Sequence, residues 1–207
     1  QTKLIPKTYL INYANGEFLH MNDKGFFPKP SAPKNLKFEW TVDKNLYTGH
    51  FYFIKDQYFI DFPDTKLMQN KETVNGKTHN RPCFYAFLDK TTGLYWMIPF
   101  SSQISKFQKI YDAKIKKFGR CDTIIFGEVL GHKKAFLIQN MCPINVTYIK
   151  NEYIDYSSQK PIRLDKRLEK QLQQKASKVL ALYKQGKKLI FPDVLKIEEN
   201  LLQKMRE

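Results

Sequence analysis

LYWMIPFSSQISKFQKIYDAKIKKFGR, residues 94–120, is the stretch on which the reading of this chain turns. Residues 94–100 are apolar or aromatic, carry no charge and stop at Ser101-Ser102. A run that short, ending in small polar residues, predicts a buried strand. It is far below the roughly 20 residues that span a bilayer. After the serines the period changes. Ile104, Phe107, Ile110, Tyr111 and Ile115 recur at three- and four-residue spacings and predict one apolar stripe of a helix. Lys106, Lys109, Lys114, Lys116, Lys117 and Arg120 fill most of the other faces, against one acid, Asp112. Ser101 or Ser102 is the predicted N-cap. Hydroxyls, open backbone N–H groups and the positive end of a helix dipole would then meet at one point, which is a phosphate-binding arrangement.

The composition points the same way. The chain has 207 residues, with 35 Lys plus Arg against 20 Asp plus Glu, a net charge of +15. Such a field draws polyanions, nucleic acid first and an anionic membrane surface second, and says nothing about fold. With 16 Phe, 12 Tyr and 2 Trp the chain can bury a real core, so it is not a disordered basic tail. Cys83, Cys121 and Cys142 are odd in number and widely spaced, which argues against a disulfide framework and for a reducing, cytoplasmic setting. His20, His50, His79 and His132 are scattered, and no CxxC or HExxH occurs, so no metal or cofactor is expected. No signal-peptide h-region is visible. The chain begins at Gln1 rather than Met, which predicts a few native residues before it.

Outward from 94–120 the punctuation predicts a strand-rich chain that turns helical near its end. Strands at 8–13 and 17–21 flank Asn15-Gly16, a strong hairpin signal. A loop at 27–34 carries Pro28, Pro30 and Pro33, and 38–42 alternates like another strand. Residues 50–62 read as one strand with a short helical turn, and 65–81 as a long polar loop. Strands follow at 83–88 and 94–99, then at 123–130 and 134–139 about a turn at 131–133, with an extended piece at 143–147. Asp165 is the predicted cap of a helix with the stripe Leu168, Leu172, Ala176, Val179, Leu180 and Tyr183, stopped by Gly186. Residues 160–188 hold ten Lys or Arg against two acids. Pro192 is placed at N1 of a last helix whose inner face is Val194, Leu195, Ile197, Leu201, Leu202 and Met205. The fold class is α+β, a small antiparallel sheet or barrel with appended basic helices.

With these residues in view, the chain resembles the ToxN/AbiQ endoribonuclease toxins of type III toxin–antitoxin systems. The resemblance covers about 51–205. It rests on the order and spacing of FYFIKDQYFIDF, RPCFYAF, YWMIPFSS, QNMCPI and KKLIFPDVLKIEENLL. It implies a MazF-like barrel with helices in residues 48–207; residues 1–47 lie outside the match and read as a family-specific extension, an extra partner surface or, the preferred reading, strands packed on the main domain that complete the sheet. It also implies a metal-independent endoribonuclease of the cytoplasm, with no membrane partner, acting in growth arrest and phage defence. Its implied inhibitor is a repeated, pseudoknotted RNA, assembled with the toxin in a closed ring of alternating protein and RNA. In the family the loop before RPCFYAF contributes a tyrosine to the site, which aligns with His79. The chain departs from the pattern two positions after the hydroxyl pair. A basic residue is expected there, but Gln103 and Ile104 stand instead, and Lys106 is the substitute.

The chemistry can be stated without the family. RNA cleavage without a metal needs the ribose 2′-OH to attack its own phosphate, which leaves a 2′,3′-cyclic phosphate and a 5′-OH. A base takes the 2′ proton, an acid protonates the leaving 5′ oxygen, and donors hold the added charge. Ser101 and Ser102 fit as a phosphate clamp, and Arg81 or Lys106 as the charge stabiliser. His79 is the candidate for proton transfer, histidine being the usual acid–base side chain near neutral pH. Lys109, Lys114, Lys116, Lys117, Arg120, Lys175, Lys178 and Lys184 would bind substrate and antitoxin RNA. Each group also has an ordinary role open to it: the serines as caps, Arg81 in an ion pair, Lys106, His79 and His132 as surface side chains. A non-catalytic RNA- or DNA-binding protein with the same basic face is the other function class.

Overall fold

The 94–101 run is a strand, and the sheet is built around it. The computed structural model describes residues 46–74 and 76–206, with the short strands β1 (Ile11–Asn12) and β2 (Phe18–Leu19). Two units divide the chain, 1–41 and 42–207. In the first, β1 and β2 pair antiparallel with Ile11 opposite Leu19, as the Asn15-Gly16 signal predicts. The expectations for 27–34 and 38–42 lie outside the described residues.

The second unit begins with β3 (Phe51–Ile54), α1 (Asp56–Asp61) and the strands β4 (Lys71–Val74) and β5 (Lys77–Asn80). The long pair β6 (Pro82–Asp89) and β7 (Leu94–Ser101) follows, then α2 (Ile104–Phe118). After it come β8 (Ile124–Val129), β9 (His132–Leu137), β10 (Cys142–Ile144) and β11 (Ile149–Glu152). The small pair β12 (Ile154–Asp155) and β13 (Lys160–Pro161) precedes α3 (Lys166–Lys184) and α4 (Val194–Lys204). The fold is α+β, and the main sheet runs β11-β3-β6-β7-β9-β8, antiparallel throughout.

β6 and β7 are apolar on both faces because both are covered. Phe84, Ala86, Ile98 and Phe100 pack with Leu172, Ala176 and Val179 of α3. Cys83, Tyr85 and Met97 pack with Tyr58 of α1, Ile144 of β10, and Ile197 and Leu201 of α4. α2 lies on β8 and β9 through Ile104, Phe107, Ile110 and Tyr111. The outer edge of β7 is shared. β10 pairs along 95–97 and β9 along 100–101. Pro99, which has no N–H to give, falls at the handover between them.

Several local expectations need correction. Residues 65–81 are not one loop: β4 and β5 form a hairpin with Val74 opposite Lys77, and Gly76 takes φ +73°. Polar composition hid it, although Asn75-Gly76 is the signal that marked 15–16. The β8–β9 turn is Leu130-Gly131, both at positive φ (52° and 73°), so His132 opens β9 opposite Val129. Asp193 caps α4 by accepting from the Lys196 N–H at 3.3 Å, so Pro192 lies one residue outside the cap rather than at N1. Leu195 and Met205 face solvent. Asp165 does cap α3, accepting from the N–H groups of Arg167 and Leu168, and Gly186 follows its end at φ +89°.

Candidate active site at the end of the central strands

Antiparallel pairing sets the start of β6 beside the end of β7. Cys83 lies opposite Pro99, so the ladder carried on brings Arg81 level with Ser101. On the other edge Ser101 lies opposite Ala135 of β9. The hydroxyl pair, Arg81 and the residues around Ala135 therefore share one end of the sheet, where α2 begins.

The two serines differ. Ser101 is the last residue of β7, 2% exposed, and its Oγ accepts from the Gln103 N–H at 3.2 Å. Ser102 is exposed, and its Oγ accepts from Nζ of Lys134 at 2.6 Å. Neither caps the helix: Gln103 holds the cap position without a side-chain bond, because Ser101 is still in the ladder and Ser102 makes the bend. The Ile104 N–H bonds the Ser102 carbonyl at 2.8 Å. Two N–H groups expected to be open to a phosphate thus already have partners. What faces outward is the Ser102 hydroxyl with an ammonium on it.

Arg81 is buried, and its guanidinium donates to the Gln69 carbonyl at 2.5 Å, fastening the 64–70 loop to the strand end. The Arg81 N–H donates to Asn70 O at 2.7 Å, and Asn70 in turn donates to Ile54 O and to Asp56. His79 is exposed on β5, opposite Glu72 and two residues before Arg81. Among the described residues no hydrogen bond ties it to either serine. Lys106 is exposed on the first turn of α2 with its ammonium 5.6 Å from the centre of the Phe107 ring.

The predicted RNA-binding cations sort into four sets. Lys109, Lys116 and Lys117 are exposed on α2, and no carboxylate pairs with them among the described residues. Arg120, Lys175 and Lys178 converge on one carboxylate, Asp122, at 3.9, 3.4 and 3.2 Å. Burial pushes Asp122 up, but the Lys178 hydrogen bond and the Lys175 charge outweigh it and hold the group below its usual range. Lys184 lies between Asp89 and Glu198. Lys114 turns inward: half-buried, it donates to Thr123 Oγ1 at 2.6 Å and Gln139 Oε1 at 2.7 Å, and desolvation lowers its pKa. That geometry takes Lys114 off the outer face.

Sequence reading missed Lys134. Nothing in its neighbourhood marks it, since Lys133 precedes it on the same turn-rich stretch. Only the β7–β9 register brings it to Ser102. Among the described residues no group of three His, Cys, Asp or Glu could hold a metal ion, and no helix is long and apolar enough to cross a membrane.

No protein-family model matches the chain, and no curated protein does. Among solved structures the chain is similar to AbiQ, described as a lactococcal anti-phage endoribonuclease belonging to the type-III toxin–antitoxin system. The TM-score is 0.57 and the identity 16%, over 78% of this chain and all of that one. At that identity the likeness gives a shared fold.

Proposed function

We propose that this chain is a metal-independent endoribonuclease toxin that cleaves RNA to 2′,3′-cyclic phosphate and 5′-OH ends. A repeated RNA antitoxin holds it in check, in a closed ring, and its release acts in growth arrest and phage defence. Residues 48–207 carry the nuclease and 1–47 are an added extension. The fold shared with an anti-phage endoribonuclease supports the class. The observation that carries the reading is the Ser102 hydroxyl in hydrogen bond with Lys134, on the same sheet end as Arg81. A hydroxyl and a fixed ammonium are the donors that the developing phosphorane charge requires. Lys134 takes the part that spacing alone gives to Lys106. Arg81 positions the 64–70 loop, and His79, on the adjoining hairpin, is the titratable group for proton transfer.

The test is cleavage of end-labelled RNA by the whole chain in excess EDTA, with mass spectrometry of the ends. Ser102→Ala and Lys134→Ala should each slow cleavage on the order of a hundredfold, as loss of one charge-stabilising donor does. Lys106→Ala should stay close to the parent. Cleavage that needs an added divalent ion would overturn the chemistry. Salt-dependent RNA binding with no cleavage of any RNA would make the chain a non-catalytic binding protein.

A further inference from the structure

α2 is longer than the surface it packs on. Its stripe meets β8 and β9 through Ile104, Phe107, Ile110 and Tyr111, whose ring lies 5.6 Å from that of Phe126. The same stripe runs on to Ile115 and Phe118, three residues apart and so neighbours on one face. There no described core residue packs against the stripe: Ile115 is 37% exposed and Phe118 63%. The Lys117 ammonium stands 5.2 Å from the centre of the Phe118 ring. Lys116 is exposed beside it, and Arg120, just past the helix, reaches Asp122 with Lys175 and Lys178, three cations on one carboxylate.

We propose that Ile115 and Phe118 are a base-stacking platform for an unpaired stretch of RNA, with Lys116, Lys117 and Arg120 holding the phosphates beside it. An exposed aromatic amid cations is the combination that single-stranded nucleic acid uses, the ring taking a base face and the cations the backbone. The cores of protein interfaces, by contrast, are poor in lysine. A second copy of a chain with net charge +15 would also bring like charges together at this face. Among the described residues a second highly exposed aromatic, Tyr156, differs: it is 84% exposed beside Asp155, whose carboxylate accepts from Ser157 and Ser158. Phe118 stands about 21 Å along the helix from its first turn, at 1.5 Å per residue. A strand a few nucleotides long therefore reaches from the platform to Ser102. The inference rests on the proposed activity only for naming the strand as the substrate or antitoxin RNA.

The probe is a fluorescein-labelled 2′-O-methyl-adenosine decamer, which in-line 2′-OH chemistry cannot cut, alone and in duplex with its complement. Phe118→Ala in the whole chain should weaken the single strand about tenfold, as loss of one stacked base does. It should leave the duplex within about twofold and the salt slope unchanged. Phe118→Trp should restore the affinity, and Tyr156→Ala should match the parent. Equal losses for strand and duplex, parent-like affinity of Phe118→Ala, or no binding of the strand by the parent would overturn the platform. So would a change of sedimentation coefficient in Phe118→Ala without a change in RNA affinity, which would assign the patch to self-association. Cleavage is scored separately. A cutting parent with an indifferent Phe118 removes the platform alone, and a Phe118-dependent binder that never cuts removes the nuclease reading alone.

Discussion

α2 and α3 look alike in sequence and behave differently in the fold. Both are lysine-rich and amphipathic. α3 buries Leu172, Ala176 and Val179 completely and ties Lys175, Lys178 and Lys184 to Asp122, Asp89 and Glu198. α2 buries only Phe107, turns Lys114 inward, and leaves Lys106, Lys109, Lys116 and Lys117 without a carboxylate among the described residues. A lysine count therefore overstates the charge available to a polyanion. What matters is whether an acid from a distant segment has already met it. α3 is a structural member with a charged rim, and α2 is a superficial element with its cations in water.

The sharpest break of this comparison is in the core. Leu172→Ala on α3 should cost about 2–5 kcal/mol by the loss of contacts and the cavity left behind. Ile115→Ala on α2 should stay within about 0.5 kcal/mol. Denaturant unfolding measures both, and equal losses would erase the distinction.

Next comes RNA affinity. Changing Lys106, Lys109 and Lys116 together to Glu should leave stability near the parent. It should flatten the dependence of log affinity on log salt by about 2, three contacts at roughly 0.7 each for a single strand. The matching change of Lys175, Lys178 and Lys184 should lower stability by about 1–2 kcal/mol, because four ion pairs, each worth at most ~1 kcal/mol, are lost or reversed. It should alter the salt slope less. Salt titrations that rank the two triple variants the other way would put the polyanion surface on α3.

The smallest effect is in acid. Asp122 and Asp89 are both held below their ordinary value of 3.8 in the fold: burial raises each, but the bonds and charges of the lysines, and of Thr91 at Asp89, outweigh it. A carboxylate depressed by folding adds stability above its unfolded pKa and loses it as pH falls through the folded one. From pH 5 downward the parent should lose stability faster than Asp122→Asn, by less than about 1 kcal/mol for so exposed a network. Parallel curves would mean that the lysines around Asp122 contribute nothing to holding α3.

The long regular segments are legible in the residues alone. The apolar run into Ser101, the stripe of α3, its Asp165 cap and its Gly186 stop all follow from local rules. The β4–β5 hairpin does not show, because its sequence is polar but for Val74 and only Asn75-Gly76 announces it. Pro192 misleads the start of α4 because an aspartate one residue later is the better cap. Of the candidate site, the hydroxyl pair and Arg81 stand out in the sequence, and the ladder sets them level. Lys134 does not, since its meeting with Ser102 depends on a pairing between residues 34 positions apart, Ser101 and Ala135. The inward turn of Lys114 is equally invisible, being decided by Thr123 and Gln139 rather than by its own helix.

The shared edge of β7 has a consequence for the order in which the strand end is assembled in a newly made chain. Its pairing with β6 closes across the four residues 90–93, whereas β9 arrives only after α2 and β8 have been made. Closing the longer loop costs more entropy and comes later. A polypeptide still emerging from the ribosome carries both serines well before it carries Lys134. Until β9 docks against residues 100–101, the strand end has its hydroxyls and no ammonium beside them. If the serines cut RNA, the growing chain stays harmless to the ribosome that makes it until most of the sheet is complete.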